Sequence, residues 1–320
     1  MDAIDATVEL DGQYRALREQ AAFVDRSNRG MLLVSGAEAA ELLQGQLTNE
    51  IEGLAPGQGC YAALLDRKGR MQADMRVLRL GAGEVWLDTE PDAVAAVARH
   101  LNMYRVGREV EVGDIGGRRA LISVIGPAAA ELAQTGPLGA EHAHREIDPP
   151  TGSSCRAVAT DRGVDLIADE TDAEALRVRL AAAGVVEVGE EAAEIIRVEA
   201  GRPRFGREMT TTTIPEEAGI NERAVSFTKG CYIGQETVAR LHYKGKPNRR
   251  LRGLRLESPS VDGEPVRLGE RELGTLGTVV VSPVHGPIAL AILRREAEPG
   301  AEVVVGDAVK ALVAELPFRG

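Results

Sequence analysis

The chain has 320 residues, 44% of them apolar and only 3% aromatic, and carries a formal net charge of -11. That length exceeds one ordinary core, so two or three domains are expected, while the acidic balance and scarce aromatics argue against tight non-specific nucleic-acid binding and broad base-stacking platforms. Cys60, Cys155 and Cys231 lie far apart with no C-x-x-C, which excludes a disulfide framework and a self-contained zinc or iron–sulfur site and points to a reduced, cytoplasmic setting. The acidic opening M-D-A-I-D-A-T-V-E-L-D-G has no apolar core, so no secretory signal is expected, and no apolar run of the roughly 18 residues a membrane span needs occurs.

Tyr14–Phe23 reads as a short amphipathic helix, followed by a turn and the apolar strand Met31–Val34. Ser35 is placed to cap the next helix, and Pro56-Gly57 breaks the chain beyond that helix. Cys60–Leu65 and Met71–Val77 flank D-R-K-G, a hairpin signal. Alternation puts Met71, Ala73, Met75 and Val77 toward a core and Gln72, Asp74 and Arg76 on the other face, so Asp74 points to solvent or into a polar cavity. Val85–Asp88 reads as a strand, Pro91–Tyr104 as a helix opened by Pro, Glu109–Val112 and Ala120–Ile125 as strands, and Pro127–Gln134 as a helix. Thr135–Ser154 has no period and reads as a loop; His142 and His144 there are residue types that bind metal, but without a matching ligand cluster a solvated loop is expected. Arg156–Thr160 and Val164–Ala168 form a second hairpin, Ala173–Ala183 a helix ended by Gly184, Val185–Val188 a strand, and Glu191–Gly201 a further helix. The helix–strand–hairpin grammar thus occurs twice, which predicts two α+β layers with antiparallel pairing. Residues 210–222 read as an extended loop, and beyond Pro247 short strands (Leu251–Leu256, Thr278–Val281, Ile288–Ile292, Ala301–Val305, Val309–Val313) separated by Gly, Pro and Asp predict a small all-β unit with a boundary near Lys246.

Ordinary folding explains the stretch F-T-K-G-C-Y-I-G-Q-E-T-V-A-R, from Phe227 to Arg240, least well. Cys231 follows Lys229-Gly230 and precedes Gly234, where a helix starting at Gln235 is expected. A neighbouring ammonium and a helix N-terminus both favour thiolate, so Cys231 is either a reactive thiol or, as lone cysteines commonly are, a small buried hydrophobe. The flanking glycines favour the first. Arg240, Lys244, Lys246, Arg249, Arg250, Arg252 and Arg255 form a basic island, read either as an anion-recognition surface or as a solvated face.

K-G-C-Y-I-G-Q-E at Lys229–Glu236, together with R-V-E-A-G-R-P-R-F-G-R-E at Arg197–Glu208, P-E-E-A-G at Pro215–Gly219 and Y-A-A-L-L-D-R-K-G-R-M at Tyr61–Met71, resembles the YgfZ family of folate-binding proteins, relatives of the glycine cleavage system T-protein (aminomethyltransferase). The resemblance implies an α+β cloverleaf: two interleaved α+β lobes with antiparallel sheets and a C-terminal β-barrel around a central folate-sized cavity. Residues 1–115 with 195–246 would hold the folate cavity and the Cys motif, 116–194 the second α+β repeat, and 247–320 the barrel. It implies tetrahydrofolate as cofactor, and a role in assembling or maintaining iron–sulfur client enzymes, and through them tRNA modification. Neither direct nucleic-acid binding nor a membrane partner is expected from it, and no metal site. In this reading Cys231 is the working thiol and Lys229 tunes it, while Asp74, Arg197, Glu199, Arg202, Arg207, Tyr232, Gln235 and Glu236 contact the ligand or hold the loop around it. T-proteins carry two adjacent Asp in the strand after the first hairpin turn, where this chain has Ala73-Asp74. They also present a Gly-Glu that grips the pterin ring, where this chain reads T-D-R-G-V-D from Thr160. These departures argue against aminomethyl transfer, which stands as the first alternative. The second is a non-enzymatic RNA or protein binding module that uses the basic island.

Overall fold

The computed structural model describes residues 3–147 and 154–319, with side chains from residue 9 onward. They gather into two compact units, Met1–Asp66, Gln72–Glu190 and Arg223–Ile233 in the first, and Arg67–Met71, Glu191–Glu222 and Gly234–Gly320 in the second.

The first unit is built on two sheets. One has five strands in the order Gly59–Leu65, Met71–Gly81, Glu84–Thr89, Gly30–Ser35, Glu111–Asp114. The D-R-K-G hairpin forms as expected, and Met71, Ala73, Met75 and Val77 are all fully buried along one face. The other sheet has six strands, Val186–Glu187, Ala22–Asp25, Arg119–Ile125, Gly163–Asp169, Cys155–Thr160 and His144–Ile147, paired antiparallel except for Ala22–Phe23, which runs parallel to Val186–Glu187. Its outer face carries a core of Phe23, Ile122, Val124, Val164 and Leu166 under Leu176 and Leu180 of the helix Ala173–Ala182. Met31, Leu78 and Trp86 from the five-stranded sheet meet Leu121, Val158 and Ile167 from the six-stranded one, so the two sheets share a second core. Each such buried aliphatic side chain contributes roughly 1.5–3 kcal/mol.

Several local expectations are corrected. The first helix spans Ala3–Glu19, and Ala22–Asp25 is a strand, because Ala22 and Phe23 pair with strands on both sides and are buried by them. Ser35 ends a strand and caps nothing; the next helix runs Ala39–Gln46 behind Glu38, with no side-chain cap. The strand expected at Glu109–Val112 lies at Glu111–Asp114, and the helix expected at Pro127–Gln134 shrinks to Ala129–Leu132. The aperiodic segment after Thr135 contains the strand His144–Ile147 against Cys155–Val158; residues 148–153 of that segment lie outside the described residues. His144 is buried and His142 nearly so, with a side chain 12% exposed, which overturns the solvated-loop reading of both.

The second unit contains a seven-stranded antiparallel sheet in the order Arg271–Thr275, Pro265–Leu268, Glu302–Val305, Val309–Ala314, Arg249–Leu256, Gly286–Arg294, Val279–Ser282. The sheet curls into a half-barrel, so that its first strand comes back against its sixth. A Cβ on Gly274 would stand 2.8 Å from the carbonyl oxygen of Ile292, and Gly274 has φ +153°, a conformation that L side chains rarely adopt. Leu254, Val266, Leu273, Leu293, Val303 and Val313 fill the inside. The strands Pro265–Leu268 and Arg271–Thr275 had no counterpart among the expected elements. The helices Glu190–Glu199 and Gln235–Lys244 also form, the latter starting where the Cys motif predicted.

Candidate functional site

The first unit concentrates ionisable side chains where its two sheets meet. Asp74, on the strand Met71–Gly81, accepts a 2.5 Å hydrogen bond from the Tyr61 hydroxyl of the neighbouring strand, and its backbone oxygen accepts from Thr89 Oγ1. Burial pushes the Asp74 carboxyl up to about 6 and Glu90 adds to the shift, while the Tyr61 hydrogen bond and the Arg29 charge oppose it. Arg29 holds Asp88 at 2.6 Å and Glu90 at 2.7 Å; Asp88 also meets Arg76 at 2.7 Å, and Arg76 reaches Asp165 of the six-stranded sheet at 2.5 Å. Flanked by Arg29 and Arg76, Asp88 stays below the usual carboxylate range although it is buried. A ladder of alternating charge therefore stands beside Asp74, with each carboxylate of the run neutralised.

Arg223 closes another side. Its guanidinium lies 5.2 Å from the Tyr61 ring centroid and pairs with Glu141, next to His142. Burial and the charge of Arg76 depress the His142 imidazole to about 4, so the ring is neutral near pH 7.

The segment carrying the Cys motif is tied to residues 44–63 of the same unit. Thr48 Oγ1 donates to the Ala224 carbonyl and accepts from the Ala63 N–H, and Asn49 Nδ2 donates to the carbonyls of both Tyr61 and Arg223. Lys229 is buried and places its ammonium 2.7 Å from each of three carbonyl oxygens, those of Gln44, Leu47 and Asn49. Three bonds use all three ammonium donors, so Lys229 anchors the loop that carries Cys231. Burial lowers its pKa to about 8, partly offset by Glu50, Cys60 and Glu52. Tyr232 is buried under the Lys229 ammonium, 5.2 Å from its ring centroid, and burial raises its hydroxyl to about 12. Cys231 between them is exposed, which removes the buried-hydrophobe alternative, whereas Cys155 is buried and Cys60 half-buried, both pushed up by burial, to about 11 and about 12.

The other expected ligand contacts belong to the second unit. Arg197 bonds Glu194 at 2.7 and 2.8 Å, Glu208 at 3.0 Å, the Arg202 carbonyl at 2.6 Å and Thr278 Oγ1 at 2.6 Å. All five of its N–H donors are occupied, so Arg197 fixes the turn after its helix. Glu199 is likewise buried and accepts from Ser282 Oγ at 2.6 Å. Arg202 is half-buried, and Arg207 is exposed and paired with Asp262. Gln235 and Glu236 open the helix Gln235–Lys244 behind Gly234, whose φ of 85° is one that glycine adopts without strain. The basic island divides: Arg249 pairs with Glu217, Arg252 with the Ala297 carbonyl and Arg255 with the Arg319 carbonyl, while Arg240, Lys244, Lys246 and Arg250 are exposed. Among the described residues no group of three or more His, Cys, Asp or Glu side chains is placed to hold a metal ion.

Tyr61, Arg29 and Arg223 were not foreseen as site residues, and His142 was noted only as a metal-binding residue type in a solvated loop. Tyr61 was legible in principle, because hairpin pairing sets it across from the Asp74 strand, but the Arg29 turn and the His142 segment carry no local signal.

This fold is that of an aminomethyltransferase. The glycine cleavage system aminomethyltransferase T from Bartonella henselae matches at a TM-score of 0.85 and 24% identity, over 97% of this chain and 89% of that one. An aminomethyltransferase of Symbiobacterium thermophilum is 30% identical over 96% of this chain and 88% of its own length, and a chloroplastic putative transferase of Arabidopsis thaliana is 28% identical over 92% and 70%. The family model of the GCVT N-terminal domain matches residues 6–229, and the chain belongs to that family. Proteins of this family bind tetrahydrofolate as substrate or cofactor. No helix among the described residues is long and apolar enough to cross a membrane.

Proposed function

We propose that this chain binds a tetrahydrofolate beside Asp74 and acts as a YgfZ-type accessory protein for iron–sulfur client enzymes, with Cys231 as its working thiol. The observation that carries the folate reading is the Tyr61–Asp74 pair, a carboxyl of raised pKa held next to a neutralised charge ladder. A reduced pterin offers N–H donors and a basic ring nitrogen, which a carboxylate titrating near 6 can orient at neutral pH. The accessory reading draws on K-G-C-Y-I-G-Q-E and on the exposure of Cys231, which leaves the sulfur reachable by another protein while Lys229 and Tyr232 fix the backbone on either side. The cloverleaf arrangement around the ligand, indirect support of tRNA modification and a cytoplasmic setting belong to the same proposal.

Equilibrium binding of monoglutamyl tetrahydrofolate is the first test. Clear affinity that falls at least tenfold in Asp74→Asn supports the reading, and absence of binding overturns it. Cys231→Ala should retain folate binding and its melting temperature yet fail to restore iron–sulfur enzyme activity in cells lacking the protein; full complementation would remove the thiol from the proposal.

A second reading, one-carbon transfer to tetrahydrofolate, is favoured by the presence of Asp74 itself and by the aminomethyltransferases among the relatives. It predicts turnover with an aminomethyl-loaded lipoyl protein, which the accessory reading does not.

A further inference from the structure

His142 stands beside Arg76 and Arg223, the two guanidinium groups that lead to the Asp74 strand and to the Tyr61 ring, in a conformation that folding alone leaves unexplained. It lies where the two sheets of the first unit meet: its backbone N–H donates to the Ala159 carbonyl of the six-stranded sheet, and its own carbonyl oxygen would stand 2.9 Å from a Cβ on Gly59, at the start of the Tyr61 strand. Two residues on, the His144 N–H donates to the Gly57 carbonyl and its ring nitrogen Nε2 meets the Gln58 carbonyl at 3.2 Å. His142 is pinned there with φ 69°, one of two non-glycine residues at positive φ among those described, a conformation that costs a non-glycine side chain roughly 1 kcal/mol or more. Its Nδ1 is buried and finds no hydrogen-bond partner, a second cost of about 1–3 kcal/mol. The segment thus bears both backbone strain and an orphaned ring nitrogen to put this imidazole between the Arg223–Glu141 pair and the Arg76–Asp165 pair. An orphaned acceptor within a cluster of charged groups calls for a donor that the chain itself does not supply.

The tautomer is set by the neighbours. Nε2 faces the Glu141 carboxylate at 3.6 Å, which favours the proton on Nε2 and leaves Nδ1 as an acceptor. Depression of the imidazole well below its ordinary value keeps that acceptor unprotonated at neutral pH.

We infer that His142 is a specificity-determining residue whose Nδ1 accepts an N–H that only a reduced pterin ring carries, so that the site selects tetrahydrofolate over the fully oxidised ring. In tetrahydrofolate the ring nitrogens N5 and N8 are donors; in folic acid both are lone-pair acceptors, and an acceptor facing Nδ1 repels it. A site built to pair a donor discriminates strongly against the analogue that lacks it.

This inference rests on folate binding beside Asp74, and the test separates the two. Affinities of monoglutamyl tetrahydrofolate and of folic acid are measured by calorimetry for the unaltered chain, His142→Ala and His142→Asn. Asn tolerates positive φ and its side-chain oxygen can take the place of Nδ1, so it also controls for loss of fold. The expected result is that the unaltered chain prefers tetrahydrofolate at least tenfold, that Ala loses most of that preference through weaker tetrahydrofolate binding with folic acid changed less than threefold, and that Asn restores it. Equal weakening of both ligands in Ala, or an unchanged preference, overturns the role of His142 while leaving folate binding intact. No tetrahydrofolate affinity in the unaltered chain overturns the functional reading, and this inference with it.

Discussion

Asp74 shows how one side chain depends on its partners. Alternation in the hairpin strand placed it on the polar face, but its pKa is set by Tyr61, Arg29 and Glu90, which come from other strands and a turn. Because its folded pKa is raised to about 6, the protonated form is the one folding favours; the contribution is complete below the ordinary carboxylate range and is lost as pH rises through 6. Asp74→Asn should therefore be more stable than the unaltered chain above pH 6, on the order of 2 kcal/mol, with the difference vanishing below pH 4; denaturant unfolding across that range checks it. Folate binding that uses the carboxylate should rise with pH through about 6. The Tyr61 hydroxyl stabilises the ionised form, so Tyr61→Phe should move that rise to higher pH, which a pH series of binding constants will show. At this scale the sequence displayed the residue and its face, and the long-range neighbours supplied its chemistry.

Among the elements, the Cys segment and the helix after it behave differently from what their local pattern implied. The helix Gln235–Lys244 was legible because Gly234 and an amphipathic run announce it. Lys229 was legible only as a charge beside a thiol, whereas the structure ties it to the carbonyls of Gln44 in the helix Ala39–Gln46 and of Leu47 and Asn49 just after it, 180 to 185 positions away in the chain. Lys229→Met would leave three carbonyls without their donor and should destabilise the first unit by about 2–4 kcal/mol; a drop in melting temperature measured on the full chain reads it. Sequence distance did not hide the strand His144–Ile147, whose partner Cys155–Val158 lies only 8 to 14 positions further on. It reads H-R-E-I, with no apolar alternation to announce it, and exists because Cys155–Thr160 offers it an edge.

For the molecule as a whole, the family and most of its elements were readable from motifs and periodicity, and the fold match agrees with the α+β reading and with a curled β unit at the C-terminal end. Contacts divide the chain differently from any division drawn along it, because the first unit collects Arg223–Ile233 and the second takes the hairpin tip Arg67–Met71. Within the first unit Arg76 joins the two sheets by meeting Asp88 on one and Asp165 on the other. Arg76→Met leaves the buried Asp165 carboxylate without its partner and Asp88 with Arg29 alone, and should cost about 3–5 kcal/mol, read as a drop in the melting temperature of that unit in calorimetry. By itself the sequence determined most of the helices, the hairpins around D-R-K-G and D-R-G, that Cys231 sits in a glycine-framed motif, and kinship with the aminomethyltransferases. Those properties are set by residues a few positions apart, through hairpin alternation, helical period and turn chemistry. Only the tertiary structure decided that Lys229 anchors a loop, that Arg197 is fully occupied, that Tyr61 joins Asp74 to Arg223, and that His142 stands beside Arg223 and Arg76. Burial and pairing between residues tens to hundreds of positions apart fix those roles, and no local pattern encodes which distant charge a side chain will face.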